Sequence, residues 1–325
     1  MPFPKPNNEL FARFQSLLAL ALMVLALSLA TDKFLTVDNG LNVLRQISIN
    51  LCLSIGMTMV ILSGGIDLSV GSVLALSGAV AAGLLKHGVT LSFWGVALEF
   101  TVGGAIAAGI VVGMACGGFN GLVITRFRLP PFVATLGMLS IARGLTMLWT
   151  GGFPITGLGD EFDFLGTGHF LAVPMPVWIS AALVLAFVVV TNRTRFGRYL
   201  YAVGGNERAA TLSGLNVRRI KLLVYTLGGG LAGVAGLLVT ARLDAADPNV
   251  GVGYELDSIA AVVIGGTSLS GGRGSILGTV LGCLIIGVLN NGLVLNEVSP
   301  FWQQVVKGVV ILLAVAIDRA SRRED

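Results

Sequence analysis

Residues 41–85 read LNVLRQISINLCLSIGMTMVIL, then SGG, then IDLSVGSVLALSGAVAAGLL. Each apolar run is close to the roughly 20 residues that cross a hydrocarbon core. Only Ser63, Gly64 and Gly65 separate them. So short a link cannot be an ordinary aqueous loop. The backbone must turn sharply, or break at membrane depth where surrounding protein satisfies its freed peptide groups. Near the other end of the chain the pattern recurs. Gly64-Gly65-Ile66-Asp67-Leu68-Ser69, followed by Gly71-Ser72-Val73-Leu74, matches Gly265-Gly266-Thr267-Ser268-Leu269-Ser270, followed by Gly274-Ser275-Ile276-Leu277. The spacer is two residues longer in the second copy. Transporters are often built from repeats with broken helices near the substrate path. The abundance of Gly, Ser and Leu is the competing explanation. The candidate helix-break residues are Gly64, Gly65, Asp67, Ser69, Gly265, Gly266 and Ser270.

Working outward, hydropathy predicts ten spans. They are Phe14–Ala30, Leu41–Leu62, Ile66–Leu85, Phe93–Cys116, Pro131–Trp149, Val173–Thr191, Ile220–Arg242, Leu256–Leu269, Ile276–Leu295 and Phe301–Ile317. The eighth is short for a crossing and reads as a half-helix or a broken one. Composition agrees with an all-α membrane protein. Of 325 residues, 54% are hydrophobic and 12% charged, against about a quarter charged in soluble domains. That leaves too little polar surface to cover a water-facing globule. The chain has 45 glycines without a collagen-like period, and those inside apolar runs permit close helix approach or breaks. The first run reads as a retained helix, because Ala26-Leu27-Ser28 is a poor cleavage site for a signal peptide.

Charge orients the chain. With the N-terminus in the cytoplasm, fifteen of the 21 basic residues fall inside: Lys5, Arg13, Arg126, Arg128, seven between Arg193 and Lys221, Arg273, Arg319, Arg322 and Arg323. This is the positive-inside bias. The outer loops 150–172 and 243–255 carry Asp160, Glu161, Asp163, Asp244, Asp247 and Glu255. The expected organisation is a cytoplasmic tail over residues 1–13, one transmembrane domain over 14–317 and a cytoplasmic tail over 318–325. The basic residues are scattered over several loops and form no nucleic-acid site. Cys52, Cys116 and Cys283 fit no metal or disulfide spacing, and His87 and His169 have no partner at ligand spacing. No phosphate loop, metal motif or nucleophile elbow is present, so the chain has no catalytic residues, binds no metal and hydrolyses no ATP itself.

The longest inside segment, residues 192–219, reads NRTRFGRYLYAVGGNERAATLSGLNVRR. Gly204-Gly205-Asn206 breaks the chain. Glu207–Leu212 then favours a helix, with Glu207 in the first turn complementing its dipole and Ser213-Gly214 ending it. Small residues on its surface, Ala209 and Ala210, suit entry into a partner's groove. The competing reading is a solvated loop whose arginines only set topology. Asn50, Thr58, Asn120, Thr135, Asn290 and Asn291 are uncharged polar residues in apolar context. They are candidates to line a path for a polar solute, and helix–helix hydrogen bonding is the competing role. Charges near the bilayer are costly. Asp67 reads as a cap for the third span, Glu99 lies six residues into the fourth, Arg143 needs a partner such as a carbonyl at a broken helix, and Lys307 reads as paired or snorkelling.

The segment 192–219 resembles the coupling loop of ABC-transporter permeases, and the chain is most similar to the ribose-type branch of bacterial sugar permeases, in the branched-chain amino acid/ribose superfamily. Four further stretches carry the resemblance in family order: residues 63–72; Asn120-Gly121 with residues 131–137; Ile141-Ala142-Arg143-Gly144; and residues 265–275. It extends from about residue 45 to the end. What it implies is a homodimeric permease of the bacterial inner membrane, importing a small sugar of pentose or hexose type. A cytoplasmic ATPase, holding ATP and Mg, would dock on Gly204, Gly205, Asn206, Glu207, Ala209, Ala210, Ser213 and Gly214. A periplasmic sugar-binding protein would deliver the ligand. The alternative is an ion-coupled secondary transporter of a small polar solute, for which only Asp67 and Glu99 offer carboxylates near the membrane.

Overall fold

The computed structural model describes residues 7–91 and 96–321. The sequence readings at Lys5, Phe93, Arg322 and Arg323 lie outside the described residues. The first helices are α1 (Asn7–Ala30), α2 (Val37–Leu62), α3 (Val70–His87), α4 (Val102–Phe127) and α5 (Pro131–Thr150). A short α6 (Asp160–Thr167) precedes α7 (Met175–Arg193), α8 (Arg195–Gly205), α9 (Glu207–Leu212) and α10 (Val217–Leu243). The last three are α11 (Tyr254–Ile264), α12 (Ile276–Leu295) and α13 (Pro300–Ser321). Three antiparallel ribbons of two or three residues per strand join some of them: β1 (Val89–Leu91) with β2 (Val96–Leu98), β3 (Ile155–Thr156) with β6 (Ala245–Ala246), and β4 (His169–Phe170) with β5 (Val173–Pro174).

Among the described residues, seven helices are long and apolar enough to cross a membrane: α2, α3, α4, α5, α7, α10 and α12. The apolar parts of α1 and α13, Ser16–Ala30 and Pro300–Leu313, are shorter. At 11 residues, α11 is about 16 Å long, half the roughly 30 Å hydrocarbon thickness. Nine of the ten predicted spans fall on their helices within a few residues. The fourth is corrected. Residues 96–98 form β2, paired Val89 to Leu98, Thr90 to Ala97 and Leu91 to Val96. Thr101 then caps α4, accepting from the Gly104 amide at 3.2 Å. Glu99 therefore lies outside any helix and is exposed. Hydropathy merged the apolar strand Val96–Leu98 with the helix that follows it.

The core is built around α2, α3 and α10, buried over 78%, 78% and 72% of their most apolar windows. The corresponding shares for α4, α5 and α7 are 22%, 22% and 17%, so these helices form a perimeter whose outer faces suit lipid. Glycine makes the α4–α10 contact possible. Gly109, Gly113, Gly117 and Gly121 recur every fourth residue on one face of α4. A β-carbon on Gly113 would overlap the Gly229 carbonyl and come 3.1 Å from the Gly233 α-carbon, and one on Gly121 would come 2.9 Å from the Leu222 α-carbon. Backbones this close exchange dispersion contacts that larger side chains would forbid.

The two glycine motifs do end helices. At the close of α2, Gly64 (φ +81°) bonds back to Ile61 and Gly65 to Val60. At the close of α11, Gly266 (φ +85°) bonds back to Val263 and Thr267 to Val262. Both are Schellman caps, in which a left-handed residue lets two amides satisfy the helix's last carbonyls. The geometry equates Gly64 with Gly266, one position away from the GGxxLS alignment. The second connection is also longer, because α3 starts just after Ser69 whereas α12 starts after Ser275.

Candidate functional site

The polar segment 192–219 folds as two helices rather than one. In α8, Phe196, Leu200 and Val203 recur at i, i+4 and i+7, and Leu200 and Val203 are buried. Thr194 caps it, accepting from the Gly197 amide at 3.2 Å. The sequence reading expects only α9 here, although the Thr194 cap and the apolar spacing of this helix are both visible in the sequence. The expected α9 is present. Asn206 caps it, accepting from the Ala209 amide at 2.9 Å. The Glu207 carboxylate meets Lys221 of α10 at 2.6 Å. Gly214, at φ +83°, closes it with bonds from Gly214 to Thr211 and from Leu215 to Ala210. Asn216 then caps α10 through the Arg219 amide at 3.0 Å.

One expectation is overturned here. Ala210 is buried, in the cluster holding Ile124, Leu200, Val203, Val217 and Ile220. It faces inward because it lies on the side of α9 that packs on α8 and α10, so its small size serves packing. The outward side presents Arg208, Ala209 and Leu212, and Leu212 is 83% exposed. Leu212 is legible in the sequence only as an apolar residue within the long polar segment 192–219. Beside α9 opens a cleft of about 530 Å³. Thr125, Arg128, Pro131, Glu207, Thr211 and Arg218 are among the residues that border it.

The helix breaks meet this element. Gly204 and Gly205 are the last two residues of α8. The Gly272 amide donates to the Leu62 carbonyl at 3.0 Å, and Gly204 packs into that seam. Asp67, expected to cap α3, instead turns back on the loop. Its Oδ1 accepts from the Ser69 amide at 2.8 Å and from the Ser69 hydroxyl at 2.6 Å, and Ser69 occupies the cap position. Asn120 of α4 donates to the Ser69 Oγ at 3.0 Å. Thr135 of α5 donates to the Ile66 carbonyl at 3.3 Å. Both thus grip the first break. Gly265 and Gly266 sit at the second, and Ser270 lies exposed on its loop.

The other predicted path residues are dispersed. Ser258 of α11 donates to Asn50 at 3.1 Å. Thr58 and Thr279 share a 2.6 Å hydrogen bond between α2 and α12. Asn291 donates to Asn39 at 2.8 Å, and Asn39 donates back at 3.1 Å. Asn290 has a buried Oδ1 without a partner. Arg143 finds the carbonyl partners expected of it, Pro248 and Val250 (3.0 Å), in the segment leading to α11. Lys307 pairs with Asp257 at 2.8 Å. The heads of α3 and α11 meet, since a β-carbon on Gly71 would overlap the Gly251 carbonyl and come 2.7 Å from a Glu255 carboxylate oxygen.

Comparison with known proteins follows the same lines. The family model described as branched-chain amino acid transport system / permease component matches residues 39–315. The chain is similar to the ribose import permease protein RbsC of Escherichia coli (strain K12), with 48% identity covering 95% of this chain and 94% of that protein. The same-named protein of Bacillus subtilis (strain 168) is 50% identical, with 93% and 91% covered. The D-allose transport system permease protein AlsC of Escherichia coli (strain K12) is 40% identical, with 90% and 86% covered. No solved structure matches the chain significantly.

Proposed function

Since the chain belongs to the family of branched-chain amino acid transport system permease components, we propose that α9 is the docking helix through which a separate ATPase drives sugar import. The chain is a multi-pass membrane protein and the permease subunit of an ABC sugar importer, a transport subunit and not an enzyme. The cargo is a small sugar of the pentose or hexose class, in keeping with relatives named for ribose and D-allose. A periplasmic binding protein delivers it, two copies of the chain form the pathway, and ATP with Mg is bound and hydrolysed on the partner ATPase. The complex lies in the bacterial inner membrane with both termini in the cytoplasm. Ten crossings result when α1, α13 and the half-length α11 are counted with the seven long helices.

The observation that carries the docking role is Leu212, 83% exposed at the end of a short helix within a segment that carries six arginines between residues 192 and 219. An apolar anchor ringed by polar groups is the usual form of a binding hot spot. Leu212→Glu removes that anchor without touching the buried side of α9. The expected result is normal membrane accumulation, loss of ATPase co-purification and at least a tenfold fall in sugar uptake. Retained ATPase and full uptake in this variant would overturn the docking role. Uptake of labelled ribose and allose by the reconstituted complex identifies the cargo.

A further inference from the structure

We propose that Gly204 is the pivot through which α8 and α9 move both helix breaks together. The inference rests on α9 being the docking helix and adds where its motion goes. Leu62 is the last residue of α2, and its carbonyl is among those a helix end leaves without an intrahelical partner. The Gly272 amide, in the loop between α11 and α12, satisfies it at 3.0 Å. That hydrogen bond ties one break to the other.

Gly204 lies against this bond. A β-carbon there would overlap the Leu62 carbonyl oxygen and come 2.6 Å from the Gly272 nitrogen, splitting the pair. Its neighbour Gly205 has no atom within 4 Å of the same position. From the far side, a β-carbon on Gly271 would come 3.0 Å from both the Gly204 carbonyl oxygen and the Gly64 nitrogen. Gly271 and Gly272 hold φ of +84° and +72°, so the loop follows a path that residues with side chains resist. One turn before Gly204, the Tyr201 hydroxyl donates to the Gly274 carbonyl at 2.9 Å.

Three backbone segments therefore meet with almost no side chain between them. Backbone groups cannot swing aside as a flexible side chain does, and close-packed contacts transmit displacement instead of absorbing it. Only Asn206 separates α8 from α9. A push on α9 thus reaches the loop before α3 and the loop before α12 at the same time. Two breaks moving in step is what switching one path between inward and outward access requires.

The test uses the complete importer, permease with ATPase and binding protein, in proteoliposomes. Transport per ATP hydrolysed is measured for Gly204→Ala, Tyr201→Phe and a control, Gly103→Ala, at an open exposed site on α4. Gly204, expected from the sequence to touch the ATPase, packs instead on Leu62 and Gly272, so Gly204→Ala is expected to retain the ATPase on purification and to hydrolyse ATP, while sugar moved per ATP falls at least tenfold. Tyr201→Phe removes one oxygen and no bulk. It should lower the same ratio about threefold with melting temperature unchanged, a combination that a purely structural role would not produce. The control should stay within twofold of wild type. A wild-type ratio in Gly204→Ala overturns the proposal. So does a wild-type ratio in Tyr201→Phe if Gly204→Ala fails to accumulate. Failure of the docking role looks different, because the wild-type chain then retains no ATPase, or Leu212→Glu retains it.

Discussion

At the scale of single residues, polar groups in the apolar interior hold helices in register. The reciprocal bonds of Asn39 and Asn291 join the start of α2 to α12. Removing Asn291 leaves the Asn39 Oδ1 without its donor, while the Asn39 Nδ2 keeps its 2.9 Å bond to the Phe34 carbonyl. An unsatisfied group of this kind costs about 1–3 kcal/mol, whereas replacing both partners with apolar groups can be nearly neutral. Asn291→Leu should therefore lower the melting temperature of the detergent-solubilised protein, and adding Asn39→Leu should restore most of the loss. Additive losses in the double variant would show that the pair is not coupled. Asn291 was legible as a polar residue in an apolar run. Its partner Asn39 was not, because a partner 252 positions away is chosen by packing.

At the scale of elements, α6 carries Asp160, Glu161 and Asp163 in its first turn and is clasped to α10. A β-carbon on Gly166 would come 2.5 Å from the Arg242 α-carbon. Asp163 of α6 is half-buried. Burial first, then the neighbouring carboxylates of Asp244 and Asp160, holds it above the ordinary carboxylate range. The folded form therefore binds this proton more tightly than the unfolded chain does. The favourable contribution is complete below the ordinary carboxylate value and is lost as pH rises through the raised one. Asp163→Asn should raise the melting temperature at pH 7 and leave it unchanged at pH 3. An equal shift at both pH values would point to a cause other than charge. The acidic run was plain in the sequence, but the meeting of Asp163 with Asp244 depends on how α6 folds back onto α10.

At the scale of the whole molecule, topology is testable through the loop proposed to dock the ATPase. Ser213 is exposed beside α9, while Cys52 and Cys283 are buried and Cys116 half-buried, so background labelling is low. A membrane-impermeant maleimide should label Ser213→Cys in inside-out vesicles and leave it unlabelled in right-side-out ones. The reverse pattern would invert the orientation and remove α9 from the ATPase side. What the chain's order alone determined was the membrane class, the positions of nine helices, the two glycine breaks and the existence of α9. Each follows from local composition, from hydropathy over about 20 residues or from a cap within a few positions. Only tertiary structure decided that Ala210 faces inward while Leu212 faces out, that Gly204 is clamped while Gly205 is open, and that the two breaks share a hydrogen bond. Those distinctions separate chemically similar or identical neighbours, and what differs between them is the backbone that the fold brings against each one from far along the chain.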